Sequence, residues 1–144
     1  MKLNVKKFDE LTNDELYDIM KLRISVFVVE QNCAYQDMDE NDKGAYHVFF
    51  TENDKITAYL RVVDKYVLYD EVCIGRVIST KRRCGLGSKL VSEGIRVALE
   101  KFDAKRIIVG AQTYARPFYE SLGFVKISDE YYEDSIPHIK MILE

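Results

Sequence analysis

The chain has 144 residues, 47% of them hydrophobic and 31% charged, with a formal net charge of −3. That size and mix describe a folded protein of one domain, residues 1–144, and the acidic balance excludes a general nucleic-acid binder, which needs a basic excess against phosphate. No run of about 18 apolar residues is present, the lysines of Met1–Lys7 precede no apolar signal core, and the three cysteines, Cys33, Cys73 and Cys84, are too widely spaced for a metal site or a disulfide framework, so the expectation is a cytoplasmic protein without membrane or metal.

Lys2 to Phe8 reads as a first strand, carried by Leu3, Val5 and Phe8. Thr12, with Glu15 three residues on, has the form of a capping box. Leu16, Ile19, Met20, Arg23 and Phe27 then keep helical spacing, which predicts a helix from about Asn13 to Val29. Gln36 to Gly44 is polar and carries Asp37, Asp39, Glu40 and Asp42, so it reads as a solvated surface loop. Tyr46–Thr51, Ile56–Val63 and Val72–Ser79 are strand candidates, with turns at Asn53-Asp54 and across Lys65 to Asp70. After Gly87, the spacing of Leu90, Val91, Gly94, Ile95, Ala98, Leu99 and Phe102 is helical. Lys105–Gln112 holds a continuous apolar run typical of a buried strand. Ala115 to Leu122 predicts a short helix with Pro117 in its first turn and Gly123 at its end. Phe124–Ile127 and His138–Leu143 supply two last strands. Hairpins together with one crossover define a mixed α/β (α+β) class.

The segment with the clearest chemistry is the strand Ile74–Ser79, then Thr80-Lys81-Arg82-Arg83-Cys84-Gly85-Leu86-Gly87-Ser88, then a helix. A strand leading through a basic glycine loop into a helix aims several backbone N–H groups and a positive dipole end at one spot. A pyrophosphate suits that arrangement, although a plain strand-to-helix turn has the same glycines. A Walker loop would need Gly-Lys-Ser/Thr, and Gly87-Ser88-Lys89 is in another order. A dinucleotide fingerprint would place glycine at position 90, where Leu90 stands.

Arg82-x-x-Gly85-x-Gly87 after an apolar strand resembles the acetyl-CoA signature of the GNAT N-acetyltransferases, Gln/Arg-x-x-Gly-x-Gly/Ala. Farther along, Phe118-Tyr119-Glu120-Ser121-Leu122-Gly123-Phe124 is similar to that family's second signature, a tyrosine four residues before Gly-Phe. Arg23-x-x-Val26-Phe27-Val28-Val29-Glu30-Gln31, Ala111-Gln112 and Ile136-Pro137-His138 with Met141 extend the likeness to an ElaA-like branch over nearly the whole chain, with Ser135 where that branch often has glycine.

The resemblance implies a GNAT fold whose central, mostly antiparallel sheet splays between strands four and five, with acetyl-CoA as co-substrate in the gap. Backbone groups of Arg76, Val77 and Ile78 would bind the pantetheine arm and thioester, and the loop Arg82, Arg83, Cys84, Gly85, Leu86, Gly87 and Ser88 the pyrophosphate. Gly75 would mark the bulge that opens the gap. Tyr119 takes the place of the acid that protonates the CoA sulfur, and a phenol with a pKa of about 10 keeps its proton at neutral pH. The implied reaction is direct acetyl transfer to a small-molecule or peptide amine in a ternary complex. An acyl-CoA-binding domain without turnover and an ATP-binding module are the competing readings, and a homodimer is compatible with the family.

The acceptor site is less defined. His47 and His138 are the only two histidines, and each can serve as a base or as a satisfied structural residue. Glu30 leads the carboxylates that could bind a cationic amine, and Gln112 follows the fifth strand. Arg23 and Arg61 sit among apolar neighbours, and Arg76 either alternates outward or pairs with a carboxylate. Buried arginines need partners, with Glu30 or Asp39 as candidates in a polar acceptor pocket.

Overall fold

The alternating and helical apolar patterns fold, in a computed structural model that describes residues 1–81 and 84–144, into a mixed sheet flanked by helices. The strands are β1 (Lys2–Lys7), β2 (Tyr46–Glu52), β3 (Lys55–Val63), β4 (Val72–Ser79), β5 (Ile107–Gln112), β6 (Val125–Lys126), β7 (Tyr131–Glu133) and β8 (Ile136–Leu143). The α-helices are α1 (Asn13–Arg23), α2 (Leu86–Phe102) and α3 (Arg116–Ser121). The strand order is β1-β2-β3-β4-β5-β8-β6, with β7 also on β8. Neighbours are antiparallel except β4 and β5, which run parallel.

Local chemistry explains the elements. Thr12 caps α1 by accepting from the Glu15 N–H at 3.0 Å, and Glu15 returns the bond to the Thr12 N–H at 2.9 Å. In the β2–β3 hairpin, Asn53 and Asp54 both take left-handed φ, 52° and 62°, a conformation their short polar side chains tolerate. The buried stripe of α2, including Leu90, Val91, Val97 and Ala98, closes on Val48, Leu60, Val62 and Ile74. Burying each such leucine or valine contributes about 1.5–3 kcal/mol. Ile19 of α1 packs on the other sheet face with Phe49 and Tyr59. The sheet is therefore sandwiched between α1 and α2.

The helix predicted over Asn13 to Val29 changes character midway. The α-helical part stops at Arg23, and Ile24–Glu30 forms a π-helical turn, with the Gln31 N–H donating to the Val26 carbonyl at 3.3 Å. The β-branched run Ile24, Val26, Val28 and Val29 is poor α-helix material. The last two predicted strands are displaced as well. β6 keeps only two residues, β8 starts two residues early at Ile136, and β7 had no strand signal.

Candidate active site

β4 and β5 pair only through Val72↔Ile107, Cys73↔Ile108 and Ile74↔Val109. Past that point β4 continues to Ser79 along β3, while Gly110, Ala111 and Gln112 of β5 keep only the β8 partners that the whole strand has. The two strands part as expected. The bulge also lies nearby, but one residue later than Gly75. Arg61 faces Gly75 and Tyr59 faces Ile78, so Arg76 and Val77 together oppose Leu60. Arg76 takes the left-handed φ of 54°, whereas Gly75 does not.

A cleft of about 1960 Å³ fills the gap. Arg76, Val77 and Ile78 line it on the β4 side, and Gly85, Gly87 and Ser88 line its far end. Gly85 is the residue before α2 and takes φ 78°, a conformation glycine adopts freely. Among the described residues no side chain caps α2, and its first turn has no acidic residue. The amides that open this 17-residue helix are thus left for an anion. Leu86 is buried in the core, so only its backbone faces that role. Cys84 is exposed, 3.5 Å from the Lys81 carbonyl, and does not line the cleft. Arg82 and Arg83 lie outside the described residues.

Tyr119 lines the cleft from α3 and is 7% exposed, edge-on to Phe118 and Phe124. Burial, with Tyr114 adding to it, pushes its phenol further above the ordinary value of 10.0. The hydroxyl therefore stays protonated across the neutral range.

The acidic segment expected to be a solvated loop is instead half of a buried ion network. Arg23, fully buried, donates from Nε to Asp37 Oδ2 at 2.8 Å and from Nη1 to Asp42 Oδ1 at 2.6 Å. Arg61 donates through both terminal nitrogens to Asp39, each at 2.7 Å, and at 3.1 Å to Asp42. Arg76 donates to Asp37 Oδ1 at 2.8 Å. Burial pushes the Asp42 carboxyl up, but hydrogen bonds and charge from Arg23 and Arg61 outweigh it and hold the group below the ordinary 3.8. Each of the three guanidiniums and three carboxylates has a charged partner, as buried charges require, although Arg61 Nε is buried without a hydrogen-bond partner among the described residues.

Two expected acceptor residues belong to this scaffold. Arg23 does not line the cleft. Nor does His47, which is fully buried, with Nδ1 2.7 Å from the Tyr59 hydroxyl and Nε2 2.9 Å from the Asp42 carbonyl. A carbonyl only accepts, so Nε2 carries the proton and Nδ1 accepts from Tyr59. Burial lowers the imidazole pKa from 6.5. Its folded value lies below its unfolded value, so the unfolded chain binds the extra proton first as pH falls. The melting temperature, followed by calorimetry, is expected to drop from pH 7 to pH 5. It should drop more steeply below about pH 4, where Asp42 is also protonated on unfolding.

The model of the "Acetyltransferase (GNAT) domain" family matches residues 11–144. A UPF0039 protein of Schizosaccharomyces pombe is 42% identical over 96% of this chain and 94% of its own. The crystal structure of Escherichia coli ElaA superposes with a TM-score of 0.92 at 36% identity, covering all of both chains. An acyl-CoA N-acyltransferase structure from Pseudomonas aeruginosa does so with a TM-score of 0.92 at 34% identity, again over all of both. The chain belongs to the GNAT acetyltransferase family. Acyl transfer is the chemistry that this membership supports.

In this GNAT chain the remaining expected residues gather at the other end of the cleft. Glu30, Arg61, Gln112 and His138 all line it. The π turn brings Val26, Phe27 and Glu30 to one wall, and β7 with its turn brings Glu133 and Asp134 to another. Cys33 Sγ donates to the Asp134 carbonyl at 3.2 Å and ties these walls together. His138 pairs with Gln112 across the β5–β8 ladder and stacks on Tyr131. Its Nδ1 lies 2.7 Å from the Ile136 carbonyl, so in the neutral ring Nδ1 carries the proton and Nε2 keeps a lone pair, 3.7 Å from the Glu133 carboxylate. Asp37 and Tyr69 escaped the sequence reading. Asp37 looked like one acid in a polar run, and Tyr69 looked like a turn residue, although its hydroxyl would lie only 2.9 Å from a Cβ added at Gly110. A tyrosine in an otherwise turn-like segment was the available signal for Tyr69. Asp37 had none.

Proposed function

We propose that this GNAT chain transfers an acetyl group from acetyl-CoA to a cationic amine, directly, in a ternary complex. The observation that carries the reading is the parting of β4 from β5 after Ile74 and Val109, in line with an uncapped helix start. Acetyl-CoA fits this geometry. The amides at Val77 and Ile78 suit the pantetheine arm and the thioester oxygen, and those opening α2 suit the pyrophosphate. Arg82 and Arg83 would add charge to that loop.

Glu30, Glu133 and Asp134 favour an amine that arrives protonated. His138 Nε2 takes the proton from its nitrogen, directly or through water. The freed lone pair attacks the thioester carbon, forming the C–N bond. As the C–S bond breaks, Tyr119 gives its proton to the departing sulfur. The proton that the new amide nitrogen sheds returns through water to the tyrosinate, so free CoA thiol, the amide and a neutral Tyr119 result while His138 holds the first proton. Holding both substrates in one cleft supplies proximity, worth several kcal/mol.

Release of free CoA thiol tests the reading when a panel of amines is supplied with acetyl-CoA. Thiol release should depend on the amine, cationic di- and polyamines should exceed neutral-tailed monoamines, and His138→Gln should lower kcat about 10²-fold. Binding of acetyl-CoA with no amine-dependent release would support a non-catalytic acyl-CoA-binding role instead.

A further inference from the structure

Arg76 sits in a conformation that its own side chain resists. At φ 54° the Cβ of an L-residue crowds the backbone, so the conformation is strained. The residue that would adopt this conformation without cost, Gly75, stands one position earlier in ordinary backbone. Arg76 is also the residue at which β4 gains its extra member, two positions past Ile74, where the pairing of β4 with β5 ends.

The side chain of Arg76 is held at several points. Its Nε donates to Asp37 Oδ1 at 2.8 Å and its Nη2 to the Asp37 carbonyl at 3.1 Å. The Asp39 carboxylate lies 3.5 Å from Nη2, and the Tyr35 ring faces the guanidinium at 5.7 Å. Asp37 cannot give way, because it is 3% exposed and held from three sides. Arg23 donates to its Oδ2 at 2.8 Å and to its carbonyl at 3.1 Å, and the Tyr35 hydroxyl donates to its Oδ1 at 2.8 Å. One buried carboxylate thus connects the end of α1 to the bulge of β4.

We propose that Asp37 is a positioning residue for acyl-CoA: through Arg76 it holds the bulge in its left-handed conformation and so presents the Val77 and Ile78 amides to the cleft. This deepens the transfer reading and rests on it. Asp37 belongs to the segment that supplies Tyr35, Gln36 and Asp39 to the acceptor end of the cleft, so one anchor fixes both halves of the site. An ion pair with no role beyond stability would change the melting temperature and leave coenzyme affinity alone.

Arg76→Ala and Arg76→Gly separate the two roles. Both remove the guanidinium, but only glycine takes a positive φ without cost. The Arg76 side chain is 23% exposed, so its loss leaves the buried Arg23–Asp37 pair in place. Acetyl-CoA is titrated calorimetrically into each full-length protein. Wild type should bind, Arg76→Ala should bind about tenfold more weakly, and Arg76→Gly should recover at least half of that loss on a logarithmic scale. Arg76→Ala binding within twofold of wild type, or alanine and glycine variants weakened equally, would overturn the positioning role and leave the transfer reading standing. Wild type failing to bind acetyl-CoA would bring down both.

Discussion

Tyr119→Phe is expected to lower kcat by about 10²-fold or more, with the affinity for acetyl-CoA nearly unchanged. Only one oxygen is lost, and the ring keeps its edge-on contacts with Phe118 and Phe124, so packing is conserved. The hydroxyl is suited to the role by burial, which keeps it protonated where solvent-exposed acids have long since ionised. Rapid-quench measurement of the first turnover, beside calorimetric binding of acetyl-CoA, separates chemistry from binding. A full-rate phenylalanine variant would show that another group or solvent protonates the thiolate, and Tyr119 would revert to a core aromatic.

Arg23→Ala should be the most destabilising single change in the ion network. It deprives Asp37 and Asp42 each of one of their two guanidinium partners, and it removes a donor 3.4 Å from the Tyr59 hydroxyl. Breaking a buried pair from one side costs about 3–5 kcal/mol. For a chain of this length that corresponds to a fall of roughly 10–15 °C in melting temperature. Arg23→Lys should recover little, since one ammonium cannot reproduce the forked contacts to Asp37 and Asp42. A melting temperature within about 2 °C of wild type for the alanine variant would mean that water or neighbouring groups replace the guanidinium.

What could be read from the sequence was whatever local pattern determines. The Thr12–Glu15 cap, the Asn53-Asp54 turn and the stripe of α2 are set by residues a few positions apart, and all three formed as expected. The splay was legible through the family resemblance, because the glycine loop and the tyrosine signature appeared together. The ion network was legible only in part: the arginines called for carboxylate partners and Asp39 was a candidate, as Arg61 bears out, but Asp37 and Asp42 were not singled out. Asp37 and Asp42 lie 14 and 19 positions from Arg23, and a run of acids has the composition of a solvated loop until the fold places guanidiniums beneath it. Whether His47 is a base or a satisfied structural residue was left open for a related reason. Its burial comes from the β2–β3 pairing and the Asp42 carbonyl, neither of which leaves a mark on its own neighbours. The bulge was misplaced by one residue because glycine is the usual bearer of a left-handed φ, and here a side chain's ion pairs hold Arg76 there instead.

The central claim is that backbone amides between the parted strands and at the head of α2 grip an acyl-CoA. Titration of acetyl-CoA into isotopically labelled protein, read by amide chemical shifts, tests it most directly. Saturable one-to-one binding should move the amides of Val77, Ile78, Gly85, Gly87 and Ser88 most. No saturable change at all, or shifts centred away from β4 and the α2 start, would contradict it.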